Sequence, residues 1–281
     1  MKHVEYSWKA ADGLEMFAQS WAPDGKSKAA VALVHGLGEH SGRYPLLVEK
    51  FPAAGYAINA YDLRGHGKTG GPRLYAPSFE TLMDDIDRHL EQTRRAFPGL
   101  PVFLYGHSLG GEQVLYYALR RSPSVIGVIA SSPLLAQGTP ASPAKVIAAK
   151  VLSRLAPTMV FTTEIPWESL SRDQSVIEWT KSDPIFQEGV STRLGIEILR
   201  AQDWICRQEK FPFPLLVLQG TDDHHVSPQK TTEFAKKISG NVTLKVFEGA
   251  RHELHNDLDR AKVADIILEW MGKRLTGRTS P

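Results

Sequence analysis

The sequence predicts an α/β fold: a mostly parallel sheet opened by an antiparallel N-terminal hairpin, helices on both faces, and a helical insertion late in the chain. Three observations carry this reading. Short, almost unbroken apolar runs recur along the chain, as strands covered on both faces require. Segments with helical spacing alternate with those runs, as connections between parallel strands must. Residues 134–206 hold no comparable run, too long a stretch for a plain loop. We therefore expect a core formed by 1–133 and 207–281, with 134–206 as a helical cap.

Residues 4–10 and 14–21, separated by Ala11-Asp12-Gly13, read as the opening hairpin, with the Asp-Gly pair supplying the turn. Core strands are expected at 29–34, 56–61, 102–105, 125–130, 215–218 and 243–246, all covered on both faces. The clearest helix places Phe79, Leu82, Met83, Ile86 and Leu90 on one face, with Ser78 as its N-cap. Others are expected at 44–54 before Gly55, 109–121 before Pro123, 228–238 before Gly240 and 260–271 before Gly272. Within the insertion, Val146, Ile147, Val151, Leu152 and Leu155 form an apolar stripe on a helix over 143–155, with Lys145, Lys150 and Arg154 elsewhere on its turns. That stripe is expected to pack down over the functional site, the alternative being to lie on lipid.

Composition narrows the function. At 281 residues, 42% hydrophobic and 23% charged, the chain is an ordinary globular protein, and a net charge of +2 supplies no basic field for nucleic acid. Cys206 is the only cysteine, so neither an intrachain disulfide nor a cysteine-built zinc site is expected. Charges within the first nine residues break up any secretory signal, and the longest uncharged run, 122–144, holds four prolines and two glycines. A cytoplasmic protein is expected, peripheral membrane contact through the cap being the alternative to its packing down.

The chemistry centres on Gly106-His107-Ser108-Leu109-Gly110, which follows an apolar run and opens a helical pattern, the context of a Gly-x-Ser-x-Gly nucleophile elbow. A serine hydroxyl attacks poorly until a histidine takes its proton, and that histidine needs a carboxylate to fix its tautomer. The 215–218 run leads into Gly220-Thr221-Asp222-Asp223, where two aspartates compete for the acid role. The next run leads to His252, the expected general base, at the carboxyl edge of the sheet. His252-Glu253-Leu254-His255 is not a zinc-protease motif, because its histidines are three apart rather than four. His224-His225 reads as a solvated loop pair, so no metal is expected.

The segment His35-Gly36-Leu37-Gly38-Glu39-His40-Ser41-Gly42-Arg43-Tyr44 strongly resembles one found in the monoacylglycerol lipases and lysophospholipases of the α/β-hydrolase superfamily. Similar to that family too are Asp62-Leu63-Arg64-Gly65-His66-Gly67, the elbow with Gly111, Asp183-Pro184, Leu194-Gly195-Ile196, Gln219-Gly220-Thr221-Asp222-Asp223 and Phe247-Glu248-Gly249-Ala250-Arg251-His252. The resemblance runs nearly end to end and is weakest over 135–179, where such enzymes set acyl preference. It implies the α/β-hydrolase fold and selects Asp223 over Asp222. It also implies an oxyanion hole made by the backbone N–H groups of Leu37 and Leu109. Glu39, Arg43 and His255 would lie at the polar head-group end of the pocket, with a Glu39–His255 hydrogen bond; the competing reading is that they merely tie two loops together. Asp62, Arg64 and His66 are expected to anchor turns. Glu112 departs from the family's small residue there, and is explained by a carboxylate's favourable place at a helix N-terminus; Lys68-Thr69 is a lesser departure.

The implied activity is hydrolysis of a single-chain lipid ester, monoacylglycerol to fatty acid and glycerol, through an acyl-enzyme on Ser108 and without a cofactor. A lysophospholipase or a general carboxylesterase is the alternative, because one triad serves many acyl leaving groups. A binding protein on a hydrolase scaffold is the reading from another class.

Overall fold

The computed structural model describes residues 1–162 and 166–276. In its central strands odd and even residues face opposite helical layers, so both faces are apolar. In β5 (Val102–His107), Val102 and Leu104 join one buried cluster while Phe103 and Tyr105 join the other. The remaining strands are β1 (Lys2–Lys9), β2 (Glu15–Ala22), β3 (Ala29–Val34), β4 (Tyr56–Tyr61), β6 (Gly127–Ser131), β7 (Val160–Phe161), β8 (Val190–Ser191), β9 (Leu215–Gly220) and β10 (Val242–Phe247). Eight form one sheet in the order β1-β2-β4-β3-β5-β6-β9-β10. Both pairings of β2 are antiparallel and all others in that sheet are parallel, as expected.

The helices are α1 (Pro45–Ala53), α2 (Phe79–Ala96), α3 (Leu109–Arg121), α4 (Pro143–Leu155), α5 (Gln174–Ser182), α6 (Thr192–Cys206), α7 (Pro228–Lys237) and α8 (Arg260–Thr276). Side chains of α2, α3, α6 and α7 share one cluster, and those of α1 and α8 the other. In α2, Ser78 Oγ accepts the Thr81 N–H at 3.1 Å, and Phe79, Leu82, Met83, Ile86 and Leu90 are all buried. Each aliphatic side chain of that face stabilises the fold by about 1.5–3 kcal/mol relative to exposure.

Three expectations need correction. β10 is the sheet edge, with Lys245 and Val246 exposed, so it is not covered on both faces. α8 runs through Gly272 to Thr276, because Gly272 does not take the left-handed conformation that ends helices. The apolar stripe of α4 does not pack down: Ile147, Val151 and Leu155 are exposed and only Val146 and Leu152 are partly covered. No helix among the described residues is long and apolar enough to cross a membrane. Within the insertion between β6 and β9, α6 packs into the main cluster through Leu194, Ile198 and Ile205.

Candidate active site

Ser108 alone makes the turn from β5 to α3, at φ 53° and ψ −116°, a conformation that L-residues hold only under strain. The turn closes because its glycines lack side chains. A Cβ on Gly106 would meet Gly110 O at 2.1 Å, and one on Gly110 would meet Val34 O at 2.2 Å. Backbone bonds hold the strained residue in place: Ser108 N–H donates to Ser131 O, and Ser108 O accepts from Glu112 and Leu134, each at 3.0 Å.

Asp223 lies in the turn after β9. Its Oδ1 accepts the N–H groups of His225 (2.9 Å) and Val226 (3.0 Å), and its Oδ2 accepts from Gln219 Nε2 (3.1 Å) and lies 2.8 Å from His252 Nδ1. Burial alone would raise the Asp223 pKa, but the His252 ring and these N–H donors outweigh it and hold the carboxyl below its usual range. Burial likewise opposes charge on His252, yet the Asp223 carboxylate wins and lifts its pKa above the ordinary 6.5. With Nδ1 committed to Asp223, Nε2 is the nitrogen left to act. Ser132 Oγ fixes the histidine backbone by donating to His252 O at 2.9 Å. Asp222 is half exposed and faces His224 Nε2 (3.2 Å) and Arg251 Nε (3.6 Å) instead.

Ser108 and His252 line a common cavity of about 420 Å³ with Leu37, Glu39, His107 and Glu253. The insertion contributes Pro166, Leu170, Phe186 and Val190 to its wall. Ser108 Oγ has no hydrogen-bond partner among the described residues, an open arrangement of the kind that tightens when substrate arrives. The Gly36 Cβ position would lie 3.0 Å from Ser108 Cβ, which brings the Leu37 loop against the serine. Leu37 N–H has no partner among the described residues, and Leu109 N–H is at the first position of α3, where no intrahelical acceptor exists. Glu39 Oε1 shapes that loop by accepting Gly36 N–H (2.5 Å) and the Tyr44 hydroxyl (2.7 Å). His35 pins it from behind, accepting Leu63 N–H at Nε2 (2.8 Å) and donating to Gly36 O (2.7 Å); burial lowers its pKa to about 3.

Of Glu39, Arg43 and His255, only Glu39 reaches the cavity. Arg43 is fully buried: Nη2 donates to Thr180 Oγ1 (2.6 Å) and Glu253 Oε2 (3.0 Å), and its guanidinium packs on Trp179 (4.4 Å) and Phe186 (5.1 Å). It thus joins the first loop both to the loop of His252 and to the insertion. His255 is sealed, stacked on Tyr44 at 4.4 Å and edge-on to His107 at 4.7 Å. The expected Glu39–His255 bond does not form: Gly36 and Tyr44 bond Glu39 Oε1, Glu39 Oε2 is unpartnered with Arg43 Nε 3.9 Å away, and His255 makes no hydrogen bond. Asp62 anchors turns by accepting Ser41 and Lys68 N–H groups, and Arg64 pairs with Asp85 at 2.7 Å. The charge-based account of Glu112 also fails. Its carboxyl is sealed with both oxygens unpartnered, and burial pushes its pKa well above the usual range, which disfavours the charge that a helix dipole would stabilise.

Sequence reasoning missed His225 and Glu253. His225 is largely buried and lines the cavity rather than standing in solvent. The available signal was its place two residues after Asp223, inside the turn that folds back onto that carboxylate.

A family model, Hydrolase_4, described as "Serine aminopeptidase, S33", matches residues 25–259. The chain belongs to this family of serine hydrolases. Within it, the chain is 35% identical over 281 residues to a human monoglyceride lipase, covering 96% of this chain and 92% of that one. It is 31% identical to a monoacylglycerol lipase of Mycolicibacterium smegmatis, over 96% and 98% of the two chains. Among solved structures, the Paleococcus ferrophilus monoacylglycerol lipase matches with a TM-score of 0.85 at 32% identity, over 93% of this chain and all of that one. The fold is therefore the α/β-hydrolase fold, and the protein is a hydrolase of the serine type.

Proposed function

We propose that this serine hydrolase cleaves esters of single-chain lipids, above all monoacylglycerol to fatty acid and glycerol. Ser108 attacks the ester carbonyl. His252 takes the hydroxyl proton at Nε2 and returns it to the departing glycerol oxygen, while Asp223 holds the ring and stabilises the imidazolium. The amides of Leu37 and Leu109 receive the oxyanion, each such donor lowering the barrier by about 3 kcal/mol. Water activated by His252 then releases the fatty acid.

The observation that supports this reading most is a strained Ser108 and an Asp223-bonded His252 on one cavity, in a chain similar along nearly its whole length to monoglyceride lipases. The test is fatty-acid release from a monoacylglycerol, a lysophospholipid and a short nitrophenyl ester by wild type and Ser108→Ala. The expected result is fast monoacylglycerol turnover that falls by roughly 10³-fold or more in the variant. Turnover of the short ester alone would overturn the lipid reading, and activity surviving Ser108→Ala would overturn the site.

Residues 134–206 act in this reading as a cap over the acyl entrance. The exposed row Ile147, Val151 and Leu155 rests on the lipid surface that supplies the substrate. Vesicle flotation should fall for the Ile147→Ser, Leu155→Ser double variant, with stability changed by less than about 0.5 kcal/mol per site; unchanged flotation contradicts the contact.

A further inference from the structure

His225 has no part in the chemistry above, yet it lines the same cavity, and its ring centroid is 4.9 Å from that of His252. Two bonds fix it. Its backbone N–H donates to Asp223 Oδ1, and its Nε2 lies 2.6 Å from Ser169 Oγ of the insertion. The Ser169 hydroxyl is itself donated to Pro166 O at 2.5 Å, so it meets the ring as an acceptor. That places the His225 proton on Nε2 and leaves the lone pair on Nδ1. Unlike the nitrogens of His255, Nδ1 is not sealed from solvent, and it has no protein partner among the described residues. Burial also keeps the ring neutral, with its pKa lowered to about 4.

We propose that His225 is a specificity-determining residue, whose Nδ1 accepts a hydrogen bond from a free hydroxyl on the carbon adjacent to the one that bears the ester oxygen, so that the site prefers monoesters of glycerol-like polyols. The inference rests on the esterase reading above and deepens it. When His252 Nε2 protonates the leaving oxygen, that oxygen lies about 2.7–3.2 Å away. A hydroxyl on the neighbouring carbon is only three bonds further on, within the separation of the two adjacent rings. An ester of a simple alcohol offers no donor there and leaves Nδ1 unused.

The experiment compares kcat/KM for a 1-monoacylglycerol with that for the methyl ester of the same fatty acid. His225→Phe keeps a ring beside His252 but removes Nδ1. His225→Asn places an amide oxygen near the Nδ1 position. We expect His225→Phe to lose about tenfold on the glycerol ester and less than about twofold on the methyl ester. His225→Asn should recover most of the difference. An equal fall on both esters would make His225 a mere packing partner of His252 and overturn the assignment, as would no fall on either. Should His225→Phe fail to fold, His225→Asn and Ser169→Ala carry the same test, the second losing part of the glycerol preference by freeing the tautomer. Wild type inactive on both esters would instead overturn the esterase reading, and this assignment with it.

Discussion

Glu112 stands one helical turn after Ser108 with both carboxyl oxygens buried and unbonded, so folding strips the group of water and returns nothing. Its pKa is raised in the folded chain, and the stability effect follows from the sign. Below about pH 4.3 the group is protonated in both states and contributes no penalty. As pH rises the unfolded chain ionises while the folded chain stays neutral, and stability falls by about 1.4 kcal/mol per pH unit until the folded pKa is passed. Glu112→Gln removes this dependence. Denaturant unfolding at pH 5 and pH 8 should find the variant more stable than wild type, with the gap wider at pH 8; a constant or reversed gap contradicts the account. The identity of this residue was plain in the sequence, but the shift of its pKa was not, because that depends on how completely the folded chain buries the start of α3.

At the scale of elements, the elbow makes the sharpest prediction. Gly110→Ala would force a methyl within 2.2 Å of Val34 O, and backbone on both sides leaves little room to yield. We expect a loss of about 1–3 kcal/mol or more, with kcat falling because Ser108 must shift. Gly25→Ala meets nothing within 4 Å and serves as the control, unchanged in both unfolding and turnover. Equal behaviour of the two variants would refute the tight-turn account. Elements of this kind were the most legible part of the sequence, because their signals are local. Ser78 and the spacing of Phe79 to Leu90 marked α2 without any knowledge of its neighbours. Reading failed where tertiary context decides. Gly272 looks like a helix stop until its neighbours keep the helix running, and β10 looks fully covered until the sheet ends there. The stripe of α4 announced a helix correctly, but periodicity carries no information about what, if anything, lies against it.

At the scale of the whole molecule, the site depends on contacts between segments far apart in sequence. The Gly-x-Ser-x-Gly string and the two late loops could be read locally; their meeting is a property of strand order, and the ties around them leave no local signal at all. Residues 168–173 of the insertion are sewn to the loop that carries His252. Glu253 N–H donates to Leu170 O at 2.8 Å, Arg251 Nη1 to Ser171 O at 3.0 Å, and Ser171 Oγ to Asn256 O at 3.2 Å. Asp257 is the centre of this seam. Fully buried, it accepts Arg172 N–H (2.9 Å), Arg172 Nε (3.0 Å), Arg251 N–H (2.7 Å) and Leu258 N–H (2.7 Å). Asp257→Ala would leave three backbone donors and Arg172 Nε without an acceptor, the Arg172 guanidinium keeping only its Nη2 bond to Asp259, a loss of about 3–5 kcal/mol. That corresponds to a melting point roughly 6–15 °C lower for a chain of this size. Because the seam also fixes the backbone on which His252 sits, kcat should fall well beyond what the lost stability explains at a temperature where the variant is still folded. Arg207→Ala, which breaks only the exposed pair with Asp203, should change neither quantity by more than about 0.5 kcal/mol. If Asp257→Ala melts low but keeps its kcat, the seam stabilises the fold without aligning the histidine; if it melts like Arg207→Ala, the insertion and the histidine loop are not coupled through Asp257.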